Sequence, residues 1–397
     1  MNRKVLILGG GEAQLGLIKT AKQMGLDTIV TGSEGQYVGY AIADKYISAD
    51  ILDKEKIQEI VESEKVDGIS MCCSDIGLST LGYLCDKCGL KGISYHSAQL
   101  SSNKLLMKEA LINNNVRTAK YRKVMKGGAY SDSLKDLNFP LIIKAVNLQG
   151  SKGIYICHSQ CDVINAMDKV FMESQLNYCI VEEFIIGEEF GVQAFVYNNN
   201  VLFILPHGDR VAKVGATNIP IEHYVPYLVS DEILKLDIIH QIENSIKALE
   251  LNNCAVNVDM ILKDNTPYVI ELSGRAGANM LPEMVSEYYG INYYEMILRA
   301  SLDLSPDKYF EDNKHDTWGN VLVRILYPME EGIIKINNIV TSNEVQVHTY
   351  ISDGDYVKGI PVLEKIGKVL SHESSLVEST EKINEYVNST FNIRMLS

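Results

Sequence analysis

Apolar and polar positions change period several times along the chain. KVLIL at 4–8 is an apolar run that enters a glycine turn, and a helix-spaced segment follows to Met24. DTIVTG, a helix-spaced stretch from Asp53 to Glu64, and GISMCC repeat the alternation. Short apolar runs alternating with helical segments predict βαβ units on a parallel sheet. No small-residue cleavage site follows the first run, so it predicts a strand and not a signal peptide. LSSNKLLMKEALINNNV predicts one helix within 99–120, stopped by its Asn run. FPLIIKA, GIYIC and YCIVEEFI predict strands around a helix at 161–173, a small α+β unit. FGVQAFVYNNNVLFIL predicts a hairpin turning at Asn198–Asn200, with helices at 231–250 and 282–300 beyond it. The polar stretch SPDKYFEDNKHDTWG leads into a separate α+β segment with the strand NVLVRILYP and a helix near 375–390. The expected class is α/β with α+β, divided at 1–98, 99–304 (a lid at about 120–186) and 305–397.

Composition narrows the function. A chain of 397 residues with 46% hydrophobic and 22% charged residues is ordinary soluble material with room for two or three cores. Its net charge of −14 argues against general nucleic-acid affinity, and no apolar run is long enough to span a membrane. Eight scattered cysteines are expected as reduced thiols in a cytoplasmic protein. Cys85-Asp-Lys-Cys88 lacks a correctly spaced histidine, which favours buried structural cysteines over zinc. The turn Gly9–Gly16 has Gln14 where a dinucleotide fingerprint needs its third glycine, which argues against nicotinamide binding.

The chemistry gathers in a hairpin. CAVNVDMIL (254–262) and PYVIELS (267–273) flank a Lys263–Pro267 turn. With the turn centred on Asn265, Asp259 faces Glu271 and Asn257 faces Ser273, while Val256, Val258, Met260, Ile270 and Leu272 form an apolar face. Opposed carboxylates, with Cβ atoms about 5 Å apart, repel each other and call for a cation. An oxygen-only set suits Mg²⁺. Lys144 ends an apolar strand, where its ammonium either meets an anion or reaches solvent. The following loop, Gly150-Ser151-Lys152-Gly153-Ile154, suits an anion nest without being a P-loop. Glu182 and Glu189 are candidates for polar contacts to a nucleotide. His207, Arg210, Thr217 and Asn218 are ligand-facing candidates; Arg210 could grip a carboxylate or form a surface ion pair, and His207 could equally pack in a loop. Arg324, on an apolar strand, is expected in a structural pair.

In this order, N-K-L-L-M-K (103–108), F-P-L-I-I-K (139–144), L-Q-G-S-K-G-I (148–154), V-E-E-F-I-I-G-E-E-F (181–190), N-V-D-M-I (257–261) and I-E-L-S-G-R (270–275) resemble the ATP-grasp superfamily. The layout is similar to the branch of carbamoyl-phosphate-synthetase-like proteins, biotin carboxylases and L-amino-acid ligases. The resemblance implies an N-terminal pre-ATP-grasp domain, an ATP-grasp domain of two α+β subdomains and a small C-terminal α+β domain. It implies ATP and Mg²⁺, with Lys104 and Lys144 on phosphates and Gly150 to Ile154 as the covering loop. Glu182 and Glu183, with the backbone of Phe184 and Ile185, would meet the adenine, and Glu189 the ribose. Asp259 and Glu271 would hold the metal, and Arg275 would steady the transferring phosphoryl group. Ser273 stands where the family usually has Asn, and Asn257 is expected to supply part of the missing ligand. Gly277-Ala278-Asn279-Met280 lacks the glutamate needed for bicarbonate chemistry, which argues against a carboxylase. The expected activity is carboxylate–amine ligation through an acyl phosphate, with small-molecule substrates and a homodimer. The alternatives are an ATP-grasp phosphotransferase and a nucleotide-binding protein with a weakened metal site.

Overall fold

The first apolar run becomes β1 (Lys4–Leu8), followed by α1 (Leu15–Gln23), β2 (Asp27–Gly32), α2 (Val38–Ile42), β3 (Lys45–Ser48), α3 (Lys54–Glu64), β4 (Gly68–Ser70) and α4 (Leu78–Cys88). The computed structural model describes residues 2–396 except 129, 149–152, 175, 215–216, 316–318, 338, 340–344, 361 and 363, and describes 131, 132, 214, 217 and 218 by backbone only. The first unit is a parallel sheet in the order β3-β2-β1-β4. β3 escapes the sequence pattern because it is a half-exposed edge strand with no continuous apolar run.

The helix expected over 99–120 is two helices, α5 (Tyr95–Ser102) and α6 (Lys104–Asn113). Asn103 breaks them with extended backbone (φ −120°), and its side chain accepts the Leu105 and Leu106 amides at 3.0 and 3.3 Å. This cap places Lys104 at the first position of α6. Asn103→Ala is expected to cost about 0.5–2 kcal/mol, read as a lower urea midpoint at unchanged slope.

The lid comprises β5 (Tyr121–Met125), α7 (Tyr130–Leu134), β6 (Leu141–Lys144), β7 (Ile154–Cys157), α8 (Gln160–Glu173) and β8 (Tyr178–Glu183). Its antiparallel sheet runs β5-β8-β6-β7 over a core of its own, in which α8 contributes Val163, Met167 and Val170. Beyond it come β9 (Glu188–Tyr197), β10 (Asn200–Val214), β11 (Thr217–Val225), α9 (Glu232–Ala248), β12 (Cys254–Lys263) and β13 (Thr266–Ser273). The 282–300 helix is likewise divided, at Gly290 (φ +68°), into α10 (Leu281–Tyr289) and α11 (Tyr293–Ser301), with α12 (Pro306–Asn313) following.

The last elements are β14 (Asn320–Leu326), the ribbon strands β15 (Gly332–Ile333) and β17 (Tyr356–Val357), β16 (Val345–Thr349), β18 (Gly367–Glu373) and α13 (Leu376–Thr390). β14 pairs with β11, so one eight-stranded sheet runs β13-β12-β9-β10-β11-β14-β18-β16. Through β14, β18 and β16 the 305–397 segment therefore extends the central sheet, while β15 and β17 form a small two-stranded ribbon of their own.

The β12–β13 hairpin turns on two residues, Asp264 and Asn265, with φ of 49° and 56°, the left-handed pair that short hairpin turns require. Its midpoint lies between them, half a residue from the expected centre on Asn265. A bulge between Asp259 and Met260 absorbs the offset, so Asp259 still opposes Glu271 and Asn257 opposes Ser273. Beyond the bulge Met260 faces Val269, and fully buried Val269 takes the core position expected for Ile270.

Candidate active site

Asp259 and Glu271 stand side by side on one face of the central sheet. Asp259 is the exposed residue in an otherwise buried stretch of β12. Burial, then the nearby Glu271 and Asp209 carboxylates, push its carboxyl up to about 7. Carboxylate oxygens on neighbouring strands suit a divalent ion. Lys104 supplies part of the compensating charge: its Nζ donates to Glu271 Oε1 at 3.0 Å and to the Leu148 carbonyl of the lid at 3.2 Å. One ammonium thus links lid and sheet.

Where α6 meets the lid, Lys144 Nζ lies 2.9 Å and Lys108 Nζ 3.2 Å from Glu182 Oε2. Lys108 and Glu182 are almost wholly buried, and the second Glu182 oxygen is buried with no hydrogen-bond partner among the described residues. Burial raises the Glu182 carboxyl, but the two lysines outweigh it and hold it below its usual range. Burial also pulls Lys108 down to about 8 against the pull of Glu182. An unpaired carboxylate oxygen beside two ammonium groups fits a ligand bearing both a donor and negative charge, as a nucleoside triphosphate does. Lys108 is four residues after Lys104 and shares its helix face, a spacing that could have revealed it.

Arg275 is gripped by Asp75 of the β4–α4 loop, with Nε and Nη2 each 2.7 Å from a carboxylate oxygen. The Ser273 hydroxyl donates to the same Asp75 at 2.6 Å, so it faces the N-terminal unit. Asn257 departs from expectation: its carbonyl oxygen accepts from buried Gln193 at 2.6 Å, and its amide nitrogen donates to Asp259 at 3.2 Å. It steadies the first carboxylate and does not turn its oxygen toward a cation. Asp75 lies just past the carboxyl end of a parallel strand, where such sheets place ligand-binding residues.

The remaining expected residues divide. Glu189 is exposed at the start of β9, two residues before Gly191 and on its face of the sheet. Glu183 does not join the site, because its carboxylate accepts the backbone and side-chain N–H groups of Asn138 at 3.0 and 2.9 Å. Phe184 and Ile185 lie half-buried in the link from lid to sheet. Gly150, Ser151 and Lys152 lie outside the described residues; Gly153 (φ +66°) and Ile154 follow directly, and Gly153 O accepts the Ala145 amide. The Thr217 and Asn218 backbones pair with Val214 and Lys213, and their side chains lie outside the described residues.

Of the two roles open to Arg210, the structure shows the ion pair and not a ligand-facing grip. Arg210 bonds Glu222 at 2.6 Å on the sheet face away from Asp259, where Glu222 also holds Arg324. Arg324 is thereby the structural pair expected. His207, by contrast, faces Asp259's side of the sheet. Its Nδ1 lies 2.9 Å from Asp209 Oδ1, which also takes Nδ1 of His223 at 2.5 Å. Burial raises Asp209, yet the two imidazoles hold its carboxyl well below the usual range. Alternation along β10 places His207 and Asp209 together on one face, the sequence signal for this pair.

A lysine-bearing lid above a sheet with opposed carboxylates defines a protein class suited to a nucleotide and its metal. The family description "Phosphoribosylglycinamide synthetase, ATP-grasp (A) domain" matches residues 102–281. The solved structure of phosphoribosylglycinamide synthetase from Anaerococcus prevotii is 36% identical, with 100% of each chain covered and a TM-score of 0.84. L-amino acid ligase from Bacillus licheniformis is 20% identical over 100% of this chain and 99% of its own, with a TM-score of 0.81. Alanine–anticapsin ligase of Bacillus subtilis (strain 168) is 23% identical over 252 residues, 57% of this chain and 52% of that protein. The chain belongs to the ATP-grasp superfamily. It spans 29% to 60% of the length of the first three curated relatives it matches. No helix among the described residues is long and apolar enough to cross a membrane.

Proposed function

We propose that the protein is an ATP- and Mg²⁺-dependent ligase that joins a small-molecule carboxylate to an amine, releasing ADP and phosphate. The observation that carries this is Lys104, which from the start of α6 bridges the Leu148 carbonyl of the lid and Glu271 beside Asp259. Triphosphate oxygens fit the Lys104, Lys108 and Lys144 ammonium groups, and a donor on the base fits the free oxygen of Glu182. Asp259 and Glu271 would hold the metal, which supplies charge neutralisation for phosphoryl transfer when bound. A substrate carboxylate oxygen attacks the γ-phosphorus, ADP leaves, and the amine displaces phosphate from the acyl carbon. Three of the five Arg275 N–H groups are committed, to Asp75 and the Ala276 carbonyl, which leaves two for a transferring phosphoryl group. The same reading includes a cytoplasmic setting and homodimeric assembly.

The relatives' names supply test substrates: glycine with phosphoribosylamine, and pairs of amino acids. ADP release from Mg-ATP should require both a carboxylate and an amine, with an amide of matching mass in the mixture. Stoichiometric ADP formation with a stable phosphorylated product and no need for amine would replace the ligase with a phosphotransferase.

A further inference from the structure

The row of directly opposed residues through the metal-binding carboxylates does not end at Asp259. Glu271 faces Asp259, Asp259 faces Gly191, and Gly191 faces His207. Gly191 has no side chain, and the His207 ring fills its place. A β-carbon added at Gly191 would lie 2.5 Å from His207 Nε2 and 2.3 Å from Cε1. Directly opposed residues have Cβ atoms about 4.5–5.5 Å apart, so this nitrogen stands beside Asp259 where a neighbouring side chain would begin.

Its tautomer is fixed from behind. Asp209 can only accept when ionised, so His207 donates from Nδ1. In a neutral imidazole that leaves Nε2 with a lone pair. Nε2 is buried, has no hydrogen-bond partner among the described residues, and belongs to a side chain only 2% exposed. A carboxylate that fixes the far nitrogen is how proteins orient an imidazole toward a metal. The cluster of His207, Asp209 and His223, whose ligand atoms lie within 4.8 Å of one another, could itself be considered for the ion. Binding through both Nδ1 atoms would leave two buried Nε2–H groups without acceptors.

We propose that His207 Nε2 is a third protein ligand to the divalent cation held by Asp259 and Glu271, making a mixed nitrogen and oxygen site. The assignment rests on the metal role of the two carboxylates. Imidazole shifts preference from Mg²⁺ toward Mn²⁺ and other first-row ions, so the site should take Mn²⁺ in preference to Mg²⁺. Asp209 is then a positioning residue.

The test is pulsed electron paramagnetic resonance of Mn²⁺ bound to the full chain with β,γ-methylene-ATP, which carries no bridging nitrogen. Unlabelled protein should show a ¹⁴N coupling that converts to ¹⁵N in histidine-labelled protein. It should vanish in His207→Ala, and Mn²⁺ affinity should fall about 10–100-fold in Asp209→Asn. Labelled wild-type protein keeps the test independent of whether either variant folds. Bound Mn²⁺ without a histidine coupling overturns the proposal, as does a coupling that persists in His207→Ala, which would assign the ligand to another histidine. Failure of Mn²⁺ to bind at all counts instead against the carboxylate metal site and the function proposed above.

Discussion

Asp259→Asn should abolish most turnover and at the same time raise the melting temperature of the metal-free protein. The two effects share one cause. Asp259 opposes Glu271 with Asp209 nearby, and its carboxyl is pushed up to about 7 by burial and by these like charges. The isosteric amide removes the repulsion while keeping the volume, so the apoprotein gains stability. The same change removes a metal ligand, and loss of such a charge-stabilising group typically lowers turnover about 10²–10³-fold. ADP release at saturating Mg-ATP and the melting temperature without metal are the two readouts. A fall in melting temperature would show that the Asn257 hydrogen bond to Asp259 outweighs the repulsion. Unchanged turnover would remove Asp259 from the site.

Glu182→Gln should unfold the lid before the rest of the protein. Lys108 and Lys144 both point at this one carboxylate, and none of the three is more than 10% exposed. Removing one member of a buried ionic cluster strands the others and typically costs about 3–5 kcal/mol. Circular dichroism and limited proteolysis within 120–186 would measure it. The pH dependence has a definite sign. Lys108 is lowered from 10.5 to about 8 by burial in the folded protein, so between these values the unfolded chain binds more protons and stability rises with pH. Without Glu182 the folded value falls further, and the variant's deficit should shrink as pH rises and Lys108 loses its charge. Lys108→Met in the same chain should recover part of the loss, because one unpaired ammonium is gone. A variant as stable as wild type at neutral pH would mean that water, and not Glu182, solvates these lysines.

Much of the site was legible because neighbouring strands in a hairpin obey a two-residue period. Asp259 and Glu271 could be paired from their numbers, although the turn lay half a residue from its expected centre and a bulge absorbed the offset. Lys144 stood out as a cation ending an apolar strand, where burial without a partner is costly, whereas Lys104 was marked by the family resemblance alone. Chain-local patterns also announced the parallel unit, the lid strands and the Asn198–Asn199 turn. They failed at helix interruptions: Asn103 and Gly290 divide segments whose apolar spacing continues across the break.

What the sequence alone determined is which residues share a strand or a helix face, because those relations depend on short-range geometry. Only the tertiary structure decided what each side chain meets across the fold. It brought Asp75 to Arg275 over 200 positions, turned Arg210 away to Glu222, and laid His207 over Gly191 beside Asp259. Such meetings depend on strand order and on which face of the sheet each segment presents, and no local periodicity encodes either.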